Sequence, residues 1–116
     1  MESFSELQLR PEVKKGVDSA GYRRPFPIQE QAIGPLLEGK NLIGQAKAGS
    51  GKTLAFGIPL IQAIDPRIGR VQALVLAPTR ELAVQITLEL QKIAADRKST
   101  RLNSSHSRAS RMPSSA

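Results

Sequence analysis

The sequence predicts an α/β protein in which helices wrap a parallel sheet that this chain only begins. Three observations carry that class. From residue 41 the hydrophobic pattern reads strand, helix, strand, helix, an order that right-handed crossovers turn into a parallel sheet. The second strand, 71–77, contains the unbroken apolar run Ala73-Leu74-Val75-Leu76-Ala77, which suits a strand covered on both faces. A glycine-rich turn at 49–51 joins the first strand to the helix behind it. Two strands do not complete such a sheet. The chain divides into a helical region over 1–40, the start of the sheet domain over 41–95, and a tail over 96–116 expected to be disordered.

Pro11 suits the first position of a helix over 11–20, where Val13, Val17 and Ala20 share a face and Gly21 fits the C-terminal cap. A second helix starts near Pro27. Its apolar stripe is Ile28, Ala32, Ile33, Leu36 and Leu37, and Gly39 ends it. Gly34-Pro35 within that stripe removes a backbone donor and is expected to interrupt the ladder. Asn41-Leu42-Ile43-Gly44-Gln45 reads as a short buried strand. The apolar segment from Lys52 to Ile64 reads as a helix that Gly57 and Pro59 should bend or end early. A loop over 65–70 leads to the strand over 71–77, which Pro78 closes. Thr79 or Arg80 opens a last helix through Leu82, Ile86, Leu90 and Ile93.

Composition narrows the chemistry. The 116 residues include no cysteine and one histidine, His106. That excludes a disulfide framework, a thiolate metal site and thiol catalysis, and leaves little for imidazole chemistry. Lys and Arg number 17 against 10 Asp and Glu, a net charge of +7. The charge is uneven: residues 1–95 carry +3 and the last 21 carry +4, so the basic balance is argued by segment. The first residues lack the basic start and apolar run of a signal peptide, and no stretch approaches the roughly 18 apolar residues of a membrane span. An intracellular location is expected, cytoplasmic or, in a eukaryote, nuclear.

The strongest chemical signal is Ala46-Lys47-Ala48-Gly49-Ser50-Gly51-Lys52-Thr53. A loop that wraps a polyphosphate must converge its backbone N–H groups, and Gly49 and Gly51 permit the unusual φ values and close approach this needs. Lys52 would reach the β- and γ-phosphates, the Thr53 hydroxyl would bind Mg²⁺, and the helix behind would present its N-terminus to the anion. Ala46 stands where the strict pattern has glycine. The loop implies a nucleoside triphosphate site and says nothing of what the triphosphate drives.

Three segments together resemble the start of a DEAD-box ATP-dependent RNA helicase. Gly21-Tyr22-Arg23-Arg24-Pro25-Phe26-Pro27-Ile28-Gln29, with the isolated Phe4 lying 17 positions before Gly21, resembles the family's Q motif. Ala46 to Thr53 resembles its motif I, which in this family also begins with alanine. Pro78-Thr79-Arg80-Glu81-Leu82 resembles motif Ia. Phe26 stands where a small hydroxylated residue is usual, and Ala48 where threonine is usual. The resemblance implies a RecA-like, P-loop NTPase sheet with ATP and Mg²⁺ as cofactors. It implies that Gln29 reads the adenine edge, that Phe4 and Tyr22 pack near the base, and that residues 46–53 hold the phosphates. Pro78, Thr79 and Arg80 would hold an RNA sugar-phosphate backbone.

The sequence contains no Asp-Glu-Ala-Asp segment, no Ser-Ala-Thr coupling segment and no second RecA-like domain, so the chain alone is expected to be catalytically incomplete. Two other readings stand beside this one: a different P-loop enzyme such as a nucleotide kinase, and a natural short RNA-binding or regulatory half-domain without ATPase activity. The tail has its own reading. Residues 96–106 and 110–116 translate the two halves of a common sequencing-library adapter, with Ser107-Arg108-Ala109 where a variable index would fall. On this reading the tail, His106 included, carries no function.

Overall fold

The computed structural model of this chain describes residues 3–47, 49 and 51–94. The expectations for 96–116 lie outside those residues. A single 3₁₀ turn, Phe4–Glu6, leads into four helices: α1 (Pro11–Ser19), α2 (Pro27–Leu37), α3 (Lys52–Ala63) and α4 (Arg80–Ala94). Helix α3 lies between α2 and α4, and α1 packs against α4. The core these helices share is built from Phe4, Val13, Val17, Ile33, Leu54, Ile58, Ile61 and Ile93. Pro11 and Pro27 each stand at the start of their helices, where a missing N–H costs nothing.

Two expected interruptions do not occur. Helix α2 runs through Pro35 to Leu37, and α3 runs through Gly57 and Pro59 to Ala63. Pro35 deprives only the carbonyl of Gln31, an exposed residue whose backbone water can serve, and the Glu38 N–H closes the end on the Gly34 carbonyl at 3.2 Å. In α3 the burial of Leu54, Ile58 and Ile61 against two neighbouring helices outweighs the local propensity of one glycine and one proline. Gly57 is there for contact: a β-carbon on it would overlap Leu90 Cδ2 of α4.

The expected parallel sheet is not seen. Among the described residues there is no strand, and 41–47 and 71–77 join no ladder. Segment 41–47 comes beside α2 at Gly44, where an added β-carbon would stand 3.4 Å from Ile28 Cδ1. Its Ile43 is fully exposed, and in the other segment Val71 and Leu76 are 86% and 84% exposed. A parallel strand is held laterally, by neighbours that pair with its backbone. Among the described residues the apolar runs that predict strands have no such neighbours, and the regular structure is helical.

Arg10 joins the N-terminal region to α3. Its backbone N–H donates to Gln62 Oε1 at 2.9 Å, and its Nη2 donates to the carbonyls of Ile61 at 3.1 Å and Ile64 at 2.6 Å. Both carbonyls lie at the negative end of the helix, where a cation is favoured twice over, by hydrogen bonds and by the dipole, and that of Ile61 also accepts from the Ile64 N–H at 3.3 Å. Arg10→Ala is therefore expected to lower stability by about 2 kcal/mol, as charge-assisted hydrogen bonds do. Thermal melting of the two proteins checks it; equal midpoints would show the clamp to be inert.

Beyond α3 the chain turns through a loop closed by side chains. The Arg67 guanidinium donates to both oxygens of Asp65 at 3.0 Å, and these bonds pull the Asp65 carboxyl down to about 2. Gln72 then ties the loop's ends, accepting from the Asp65 N–H at 2.9 Å and donating to the Asp65 carbonyl at 2.8 Å.

Candidate functional site

The glycine-rich loop ends at Gly51, which is the N-cap of α3 and adopts a left-handed conformation at φ 87°. Gly49 does the same at φ 80°. Two left-handed glycines one residue apart turn the loop sharply and aim it at the helix N-terminus, where the first N–H groups have no intrahelical acceptor. Lys52 is the first helical residue and is exposed; Thr53 follows, half-buried. Ala46 is half-buried and Lys47 exposed, whereas Ala48 and Ser50 lie outside the described residues.

Gln29 is the polar residue buried among the core, at 3% exposure. Its Oε1 accepts from the Phe26 N–H at 2.8 Å, and its Nε2 donates to the Gly51 carbonyl at 3.0 Å. One carboxamide thus pins the start of α2 to the loop before α3. The reach back to Phe26 is half of a capping box. In the full motif a hydroxyl at the N-cap would answer with a bond to the helix, and Phe26 has none.

The other expected residues fall into two further groups. Phe4 is buried in the core, with its N–H donating to the Arg23 carbonyl at 3.0 Å. Tyr22 packs against the same cluster; burial raises the pKa of its phenol, and the charge of Glu89 adds to the rise. Pro78, Thr79 and Arg80 are exposed at the start of α4, on a different element from the loop. Thr79 is that helix's cap, its Oγ1 accepting from the Leu82 N–H at 3.2 Å. Among the described residues no group of three or more His, Cys, Asp or Glu could hold a metal ion.

The sequence reading does not place Phe26 beside the loop. Its ring lies against Gly51, close enough that a β-carbon there would stand 2.7 Å from Phe26 Cδ2. The signal available was its position immediately before Pro27, which makes it the helix cap.

A left-handed glycine loop opening a helix, with Lys-Thr at the first two helical positions, is the layout of the phosphate-loop proteins. The signature of DEAD/DEAH box helicases matches residues 26–115, and this chain belongs to that family. It is 50% identical over 97 residues to the ATP-dependent RNA helicase CshA of Listeria monocytogenes, covering 84% of this chain and 19% of that protein. It is 49% identical over 86 residues to the ATP-dependent RNA helicase eIF4A of Neurospora crassa, covering 74% and 22%. The chain thus spans about a fifth of the length of these curated relatives. Among solved structures, a DEAD box protein from the hyperthermophile Methanococcus jannaschii superposes with a TM-score of 0.75 at 36% identity, over 80% of this chain and 26% of that one. Dbp5 of S. cerevisiae bound to RNA and ADP BeF3 superposes with a TM-score of 0.78 at 38% identity, over 83% and 25%. No helix of the described residues is long and apolar enough to cross a membrane.

Proposed function

We propose that this chain is the ATP-binding front part of an ATP-dependent RNA helicase. The observation that supports the reading best is the hydrogen bond from Gln29 Nε2 to the Gly51 carbonyl. It ties the residue suited to read a base to the loop suited to hold phosphates. The amide has capacity left over. A glutamine carboxamide carries two hydrogens and two acceptor sites, and the bonds to Gly51 and Phe26 use one of each. One donor and one acceptor remain, which complement the N7 acceptor and N6 donor of adenine. Guanine offers two acceptors along that edge and leaves the carboxamide oxygen facing a like partner.

The other residues take roles by chemistry. Gly49, Gly51 and the first N–H groups of α3 surround the phosphates, with Ala46, Lys47, Ala48 and Ser50 completing the loop. Lys52 neutralises the β- and γ-phosphates, and Thr53 supplies an oxygen to Mg²⁺, whose charge would stabilise the phosphates when bound. Phe4 and Tyr22 form the apolar wall behind the Gly21–Arg23 turn on the base side. Pro78, Thr79 and Arg80 meet an RNA backbone, a contact that gives affinity without sequence choice.

Gln29→Ala tests the reading. Binding of ATP to the chain, with GTP as competitor, is expected to weaken by roughly 10- to 100-fold for ATP while the ATP-over-GTP preference narrows, as sites built on directed hydrogen bonds behave. An unchanged preference would remove Gln29 from the base site. Turnover is a separate matter. With no Asp-Glu-Ala-Asp segment in its sequence, the chain is expected to show no RNA-stimulated ATP hydrolysis above a Lys52→Ala control.

A further inference from the structure

We propose that Phe26 is a base-stacking residue of the nucleotide site, giving this chain an aromatic contact with the purine ring beside the edge contact of Gln29. The inference rests on the nucleotide-site reading above and adds a residue to it. Phe26 is a 49% exposed residue, against 4% for Phe4, so core packing does not account for it. It is also held in place. Phe26 caps α2 in an extended conformation, φ −76° and ψ 162°, with Pro27 behind it and its N–H bound to Gln29 Oε1. The ring edge lies against Gly51, so the exposed aromatic residue, the last loop glycine and the buried Gln29 amide are immediate neighbours.

The helix gives up something to have a phenylalanine there. Ser or Thr at this position would complete the capping box with Gln29 and stabilise α2. Phe26 forgoes that hydroxyl without gaining burial. A flat heteroaromatic ligand is the partner that uses such a ring, and a purine fits both groups at once: its edge to Gln29 and its face to Phe26. Stacking does not read the edge of a base, so the chemical class served by Phe26 is any purine nucleoside triphosphate, with the adenine preference left to Gln29.

The test uses the 116-residue chain with Mg²⁺ and either ATP or GTP, followed by the proton resonances of the bound base. Wild type is expected to shift adenine H2 and H8 upfield through the ring current of Phe26. Phe26→Thr is expected to abolish that shift and weaken ATP and GTP alike by roughly tenfold, leaving their ratio intact. Its melting temperature should be equal or higher, because the new hydroxyl caps α2. Phe26→Leu keeps apolar bulk and should still lose the shift. If Phe26→Thr binds ATP as wild type does with unchanged adenine shifts, while Gln29→Ala still narrows the ATP preference, stacking is wrong and the nucleotide site stands. If wild type binds neither nucleotide, both fall.

Discussion

Gly51→Ala is expected to cut ATP affinity by at least 100-fold and to destabilise the chain by about 2 kcal/mol, of which the left-handed backbone accounts for roughly 1. At φ 87° any β-carbon is strained before its neighbours are considered. Those neighbours make it worse. The new carbon would overlap Gln29 Nε2 and stand 2.7 Å from Phe26 Cδ2. Both side chains can move aside, but Gln29 does so only by releasing the Gly51 carbonyl and the Phe26 N–H, which are its two recorded bonds. One methyl group thus undoes the loop conformation and the tie between α2 and α3, and with them the base contact proposed for Gln29. Gly49→Ala is the matched control: its φ is 80° but nothing lies within 4 Å of the new carbon. In thermal melting it should show the backbone cost alone. Isothermal titration with ATP and thermal melting of the two variants separate these terms. Equal losses would mean that the Gln29 contact contributes nothing.

The contrast between those glycines shows which parts of the site a sequence can reveal. The left-handed Gly49 and Gly51, and the helix start at Lys52 and Thr53, are legible because every constraint on them is local in the chain. Gln29 is legible only through a longer motif; its bond to Gly51 spans 22 positions, and no local periodicity announces it. Arg10 is not legible at all. It precedes a helix-starting proline and no pattern around it marks a long-range role, yet its acceptors lie 51 and 54 positions away. The helices follow their apolar spacing; Pro59 failed to break α3 because buried Ile58 and Ile61 flank it, and Pro35 sits so near the end of α2 that only the exposed Gln31 carbonyl loses a donor.

The sheet is the opposite case. Residues 71–77 carry the composition of a doubly covered strand, and composition reports what a segment needs rather than what surrounds it. Leu74 and Leu76 remain 79% and 84% exposed because lateral pairing, the term that turns an apolar run into a strand, comes from other segments. Membership of the family survives this, since identity to relatives and superposition on solved structures rest on the residues and helices that are present.

Gly16→Ala is expected to be the most damaging substitution for stability, at about 3 kcal/mol. Nothing in the sequence marks it: α1 reads as Val13 and Val17 on its buried face, with glycine a weak helix former between them. In the fold Gly16 is buried where α1 meets α4, and a β-carbon there would overlap the carbonyl oxygen of Ile93. The overlapped atom is backbone, so no rotamer change relieves it. The two helices must separate, and Val13, Val17 and Ile93, buried almost without exposure, lose part of their packing. Helix propensity acts the other way, since alanine favours α1 by roughly 1 kcal/mol over glycine. The sign of the measured change therefore decides between the two effects. A fall in melting temperature on the order of 10 °C shows that close helix contact dominates. A rise would mean that α1 and α4 do not meet at Gly16. Gly57→Ala provides the graded comparison: its new carbon meets the end of the Leu90 side chain, which can rotate, and the cost should be about 1 kcal/mol or less.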